Sequence, residues 1–300
     1  MTPAGVGGGL RIWLMAARVR TLPAAIAPVV VGTALAAHEG SFHPLTLLAT
    51  LIGAVFIQVG TNLSNDYSDA RRGADTEDRL GPVRVTAGGL VPPRQVLVAT
   101  YVSFGVAVLV GVYLVVVAGP VLLAVGAASI LAGVLYTGGP RPYGYEGLGE
   151  LFVFLFFGIV AVSGSFFVQT KRLEWEAFAL AVPVGLLAAA ILVVNNVRDL
   201  ETDRRAGKRT LAVRLGRDRA RRLYAAMIYG AFLIAPLPWL IGDALSAYLL
   251  LALLALPLAV PLVGTVSTHT DGPSLNRALA GTGLAQLVFC ALLAAGVLLS

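Results

Sequence analysis

The chain has 300 residues, of which 57% are hydrophobic and only 13% charged, with a mean hydropathy of +0.83. Ordinary soluble domains carry about 25% charged residues, so this composition excludes a soluble globular domain and defines an integral membrane protein. The net charge of +6 and isoelectric point of 9.8 do not point to nucleic acid, because the bases gather in loops between apolar stretches.

A bilayer core about 30 Å thick is crossed by about 20 apolar residues in helical form. In chain order nine such stretches occur, roughly at 12–37, 44–65, 95–117, 120–137, 149–168, 177–197, 220–241, 244–264 and 278–299. The predicted fold is therefore all-α, a bundle of nine transmembrane helices forming one domain over 11–300. Residues 1–10, MTPAGVGGGL, read as a disordered N-terminus. Strands of a membrane barrel would alternate apolar and polar residues over about ten positions. The run VAVLVGVYLVVVAGPVLLAVGAASILAGVLY alternates nowhere.

If the loops alternate sides, twenty of the 22 Lys and Arg fall on one face of the membrane, and only Lys171 and Arg172 on the other. The positive-inside rule then predicts a cytoplasmic N-terminus, cytoplasmic loops after the second and sixth helices, and a C-terminus on the opposite side of the cell membrane. Ala34-Leu35-Ala36 is not expected to mark a cleaved leader, since the preceding apolar run contains Pro23 and Pro28 and exceeds a usual signal core. Cys290 is the lone cysteine, which excludes an intrachain disulfide and a thiolate zinc site; His38, His43 and His269 show no metal-ligand spacing.

Two of these loops share a layout. The second helix ends in NLSNDYSDARRGADTEDRLGPVR (62–84) and the sixth in NNVRDLETDRRAGKRT (195–210). On a helix turning about 100° per residue, Asn62, Asp66 and Asp69 fall within about 60° of one another, and Asn195, Asp199 and Asp203 within about 80°. Carboxylates a turn apart repel when ionised, so each stripe calls for a cation. Magnesium suits it: this ion takes oxygen ligands, and one or two carboxylates commonly hold it while substrate phosphates complete the shell. Arg72, Arg84, Arg141, Lys208 and Arg209 would surround a diphosphate with donors. The competing reading is of solvated helix ends whose bases set topology and whose acids pair with them. Two matching stripes favour function over that reading, because ionisable groups at a membrane edge usually mark a site. The AGKRT stretch is no P-loop, for Thr202 stands where its first glycine belongs and no strand precedes it.

The paired stripes resemble the UbiA superfamily of intramembrane aromatic prenyltransferases, which carries two aspartate-rich motifs on the cytoplasmic ends of helices 2 and 6 of a nine-helix bundle. Four passages, RTLPAAIAPVVVG (20–32), NDYSDARRGADTEDRLGPVRVTAGG (65–89), YTGGPRPYGYEGLGE (136–150) and NNVRDLETDRRAGKRTLAVRLG (195–216), look most like the branch that prenylates 1,4-dihydroxy-2-naphthoate in menaquinone synthesis. The resemblance implies a polyprenyl diphosphate as donor, magnesium as cofactor, and a naphthoate acceptor that loses carbon dioxide. It assigns Asp66, Asp69, Asp199 and Asp203 to the metal, with Asn62 and Asn195 as ligands or orienters. Lys208 becomes the leading diphosphate cation, followed by Arg141 and Arg209. Either Asp69 or Asp75 completes the first metal motif, whose spacing departs from the family's Asp-x3-Asp. Asp75, Asp78, Arg79 and Arg84 belong to a loop expected to close over the diphosphate. Tyr136, Tyr143 and Tyr145 either face a carbocation or anchor the membrane interface.

The rivals within the family are branches acting on 4-hydroxybenzoate, homogentisate, a chlorophyll precursor or a phosphosugar. A transporter would need broken helices with polar residues near the bilayer midplane, whereas the acids here gather at one edge. The Asp-Gly-x2-Ala-Arg pattern of phosphatidyl-transfer enzymes is absent.

Overall fold

The computed structural model describes residues 6–74 and 80–300. All regular structure among the described residues is helical. Six helices are long and apolar enough to cross a membrane: Pro44–Arg71, Pro93–Ala118, Gly149–Thr170, Trp175–Arg198, Ala247–Thr268 and Gly272–Leu299. A seventh span is the bent pair Gly9–Thr21 and Pro23–His38, which meet at 51°. Proline explains the bend: Pro23 sits at the first helical position, where its missing N–H costs nothing and its ring stops a helix arriving from before. Of the expected disordered stretch 1–10, residues 1–5 lie outside the described residues and 6–10 open the helix Val6–Ala16.

The other two expected spans are helical but fall short by length or composition. Val121–Leu135 has 15 residues, about 22 Å at 1.5 Å per residue. Arg217–Ile234 opens with four arginines in six residues, and the chain breaks before Leu237–Ile241 at Ala235 and Pro236.

Packing separates a central helix from lipid-facing ones. Trp175–Arg198 is 67% buried through its apolar window, against 22% for Pro93–Ala118. Its small residues allow this, since without water to drive association membrane helices approach through Gly and Ala. Gly158 and Gly185 stand face to face: a Cβ added to Gly158 would lie 2.5 Å from the Gly185 Cα and 2.9 Å from the Ala181 carbonyl oxygen. Gly158 lies within a π-helical stretch, Phe154–Val160, inside the Gly149–Thr170 span, and such bulges mark local rearrangements of a helix. Gly32 is equally tight against the Val162 carbonyl from the other side. Gly158→Leu is therefore expected to destabilise the bundle by about 3 kcal/mol or more, read as a lower unfolding temperature in detergent. Gly105→Leu, whose Cβ meets nothing within 4 Å, is expected to unfold like wild type. Equal stability of the two variants would refute the close crossing.

Pro44–Arg71 has 28 residues, about 42 Å of helix, more than the hydrocarbon core of about 30 Å requires. Its last turns, carrying Asn62 to Asp69, therefore emerge at the membrane edge. Trp175–Arg198 brings the second stripe to the same end of the bundle, since residues of both stripes line one cavity.

Candidate active site

The first stripe lies on one helix and is buried: Asn62, Asp66 and Asp69 are 4%, 2% and 1% exposed. Its members have different partners. Asn62 donates through Nδ2 to the Ala17 carbonyl at 3.0 Å and the Thr21 hydroxyl at 3.2 Å. Asp66 accepts the backbone N–H groups of Val85 (3.1 Å) and Thr86 (2.9 Å), one on each oxygen, so it holds the segment carrying Arg84 against the helix. Asp69 meets cations: its Oδ2 is 3.1 Å from Arg84 Nη2 and 3.6 Å from Lys208 Nζ, while its Oδ1 accepts the Tyr145 hydroxyl at 2.6 Å. Lys208 Nζ also sits 4.9 Å from the centroid of the Tyr145 ring. Arg84 and Lys208 thus stand side by side at Asp69, two buried donors of a kind that suits an anionic oxygen-rich group.

The second stripe departs from the continuous helix expected of it. The helix stops at Arg198, Asp199 takes φ −90° and ψ 7°, and a new helix runs Leu200–Arg205. The register survives, because the Asp203 N–H bonds to the Asp199 carbonyl at 2.8 Å. Arg198 grips Asp199 with two bonds, Nε to Oδ1 at 2.8 Å and Nη2 to Oδ2 at 2.5 Å. The same guanidinium donates to Asn195 Oδ1 at 2.9 Å and Asn276 Oδ1 at 2.7 Å, and Asn276 Nδ2 reaches the Leu80 carbonyl at 3.0 Å. Arg198 thus ties the second stripe to the last helix, and through Asn276 to the segment that carries Arg84.

One cavity of about 590 Å³ joins these groups. Asn62, Asp69, Arg84, Asn195, Asp199, Asp203 and Lys208 line its polar part, whereas its body is apolar, with Val108, Val112, Leu122, Phe156 and Val160 among its walls. Tyr136, Tyr143 and Tyr145 also line it. Tyr136 and Tyr143 meet edge to face at 5.5 Å, and Tyr143 stacks on Phe152 at 4.0 Å. Burial pushes the Tyr143 phenol well above its ordinary value, and its hydroxyl donates to the Ala132 carbonyl. Tyr145 differs, with its hydroxyl committed to Asp69.

The remaining expected residues stand apart. Asp66 does not line the cavity; Arg72 is exposed and donates to the Gly139 carbonyl. Arg141 and Arg209 are exposed and outside the lining as well, although the Arg209 N–H bonds to the Tyr145 carbonyl. Asp75, Asp78 and Arg79 lie outside the described residues. Conversely, Arg198, Asn65 and Asn196 were not singled out by sequence reasoning, though two of them sit inside the NNVRD stretch. Asn65 accepts the Thr137 hydroxyl at 2.9 Å and so joins the first stripe to the end of Val121–Leu135.

Among the described residues no three acidic, histidine or cysteine side chains converge on one point. Magnesium needs no such cluster, being held by one or two carboxylates with waters and phosphates. Asp69, Asp199 and Asp203 reach the cavity from two helices with amide neighbours beside them, and this hard oxygen donor set fits a divalent cation.

Residues 25–280 match the model of the UbiA prenyltransferase family, and the chain belongs to that family. It is 45% identical over 291 residues to a Mycobacterium tuberculosis protein named 1,4-dihydroxy-2-naphthoate octaprenyltransferase, covering 95% of this chain and 96% of the relative. An Escherichia coli protein of the same name is 40% identical, with 92% and 93% covered. The fold is shared with a UbiA homolog from Archaeoglobus fulgidus solved with GPP and Mg2+ (TM-score 0.68, 14% identity, 96% of this chain and 100% of that one). It is also shared with the apo UbiA homolog from Aeropyrum pernix K1 (TM-score 0.69, 14% identity, 89% and 96%).

Proposed function

We propose that the protein transfers a polyprenyl group from polyprenyl diphosphate to 1,4-dihydroxy-2-naphthoate, releasing diphosphate and carbon dioxide and forming demethylmenaquinol for menaquinone synthesis. The observation that carries this reading is the cavity, with buried acids and cations at one part and an apolar body at the other. A diphosphate with a long hydrocarbon tail matches both. The names of the relatives select the naphthoate as acceptor.

Lys208 and Arg84, both buried beside Asp69, bind the diphosphate through charge-assisted hydrogen bonds. Asp69, Asp199 and Asp203, assisted by Asn62 and Asn195, would hold magnesium, which when bound neutralises charge growing on the leaving diphosphate. Asp66 contributes by holding the backbone at Val85 and Thr86, and so places Arg84. The allylic carbon–oxygen bond breaks and its electron pair leaves with diphosphate. Tyr136, Tyr143 and Phe152 offer ring faces to the allylic cation. The ring carbon bearing the carboxylate bonds to the allylic carbon; the carbon–carboxylate bond then breaks, returning its electron pair to the ring and releasing carbon dioxide. Apolar walls keep water from capturing the cation. In this reading the bundle spans the plasma membrane with both stripes on the cytoplasmic side, the arrangement that the excess of bases on one face favours.

The test supplies purified protein and a long-chain polyprenyl diphosphate with dihydroxynaphthoate or 4-hydroxybenzoate in parallel, reading product mass. A prenylated naphthoquinol is the expected product, and prenylated hydroxybenzoate alone would overturn the acceptor assignment. Chelation with EDTA should reduce turnover to background and added magnesium should restore it; turnover that persists in chelator would refute the metal role.

A further inference from the structure

The Gly-Leu-Gly-Glu turn before the Gly149–Thr170 helix ends in a carboxyl that the reaction above does not use. Glu150 is 3% exposed, stands in the first turn of that helix, and accepts the Asn196 Nδ2 at 2.8 Å. A carboxyl oxygen accepts this bond whether or not the group is ionised. The bond fixes the Asn196 amide, for with the NH2 on Glu150 the carbonyl oxygen is turned elsewhere. Asn196 is 4% exposed and lines the cavity, and no hydrogen bond to its Oδ1 occurs among the described residues.

The Asn196 carbonyl oxygen keeps access to the cavity, and a ligand that closes it off from water without bringing an N–H or O–H leaves it unpaired at a cost. Chemistry separates the two substrates at this point. A polyprenyl chain has no polar hydrogen, and a diphosphate offers acceptors. A dihydroxylated aromatic ring brings two O–H donors. The surroundings suit a flat ring: Tyr136 packs so closely on the backbone before Glu150 that a Cβ at Gly149 would lie 3.2 Å from its ring, and the Tyr143–Phe152 stack lines the same cavity.

We propose that Asn196, oriented by Glu150, accepts a hydrogen bond from a ring hydroxyl of the aromatic acceptor and so sets acceptor specificity. The inference rests on the prenyl-transfer reading above. Asn196 contacts the acceptor; Glu150 is a positioning residue that acts through it.

The test measures KM for each substrate in wild type, Asn196→Leu, Glu150→Ala and Glu150→Gln, with dihydroxynaphthoate and its two monohydroxy analogues as acceptors. Asn196→Leu should raise the acceptor KM roughly tenfold and leave the prenyl diphosphate KM within about twofold, the scale of one lost hydrogen bond. With one of the monohydroxy analogues that penalty should vanish, because the hydroxyl read by Asn196 is already missing. Glu150→Ala should behave like Asn196→Leu, whereas Glu150→Gln, whose side-chain carbonyl still accepts from Asn196, should recover most of the loss. An unchanged acceptor KM, an equal penalty with all three acceptors, or a joint rise in both KM values would overturn the proposal. A wild-type protein that prenylates no naphthoate would sink the functional reading itself and this proposal with it. Normal wild-type turnover with unaffected variants would sink the proposal alone.

Discussion

Replacing Asp199 by Asn is expected to lower turnover at least roughly a hundredfold, the scale set by losing one transition-state-stabilising group. Asp199 is nearly isosteric with Asn, so the change removes charge rather than shape. Both of its oxygens now rest on Arg198, which also holds Asn195 and Asn276. That guanidinium stabilises the carboxylate, and a bound magnesium would share the same two oxygens. Asp69→Asn should be equally inactive, since Asp69 balances Arg84 and Lys208. Truncating one member of a buried pair can cost about 3–5 kcal/mol of stability, so thermal unfolding in detergent must accompany each rate. Folded protein with near-normal turnover would show that these carboxylates do not hold the metal.

Lys208→Gln should act on the other half of the same chemistry. Its ammonium is buried between Asp69 and the Tyr145 ring. The neutral side chain removes one charge-assisted bond to diphosphate, so the KM for prenyl diphosphate should rise roughly tenfold or more, with the acceptor KM little changed. Isothermal titration with a non-reactive prenyl diphosphate analogue and magnesium checks the same point without turnover. Unaltered affinity would remove Lys208 from the diphosphate site. Arg141→Gln, at an exposed position outside the cavity, is expected to bind the analogue as wild type does.

Much of this arrangement was legible in the sequence because it is written locally. Apolar runs of about 20 residues give spans directly, and helical spacing places Asn62, Asp66 and Asp69 on one stripe. What escaped is carried by contacts between distant segments. The backbone amides that engage Asp66 lie 19 and 20 residues away, and the hydroxyl on Asp69 comes from Tyr145, 76 residues on. No periodicity marks such partners, so Asp66 reads as the equal of Asp69 although it faces the loop. The break at Asp199 escaped for another reason: a helix that stops and restarts around one residue leaves the apolar pattern unchanged. Composition likewise gave 220–241 as one apolar stretch, where the helix Arg217–Ile234 opens with arginines and ends before Pro236. Glu150 and Asn196 stood inside quoted passages, but a single acid and a single amide carry no spacing to read, and their pairing is visible only when the two helices are packed.

The proposed reaction requires that both substrates meet in one cavity and that the naphthoate carboxyl is lost once the new bond has formed. The most direct measurement uses acceptor labelled with carbon-13 at the carboxyl and follows product, diphosphate and labelled carbon dioxide over one reaction course. All three are expected to appear together in equal amounts, with the prenylated product lacking the label. A prenylated product that keeps its labelled carboxyl, or diphosphate released without prenylated naphthol, would contradict the proposed reaction.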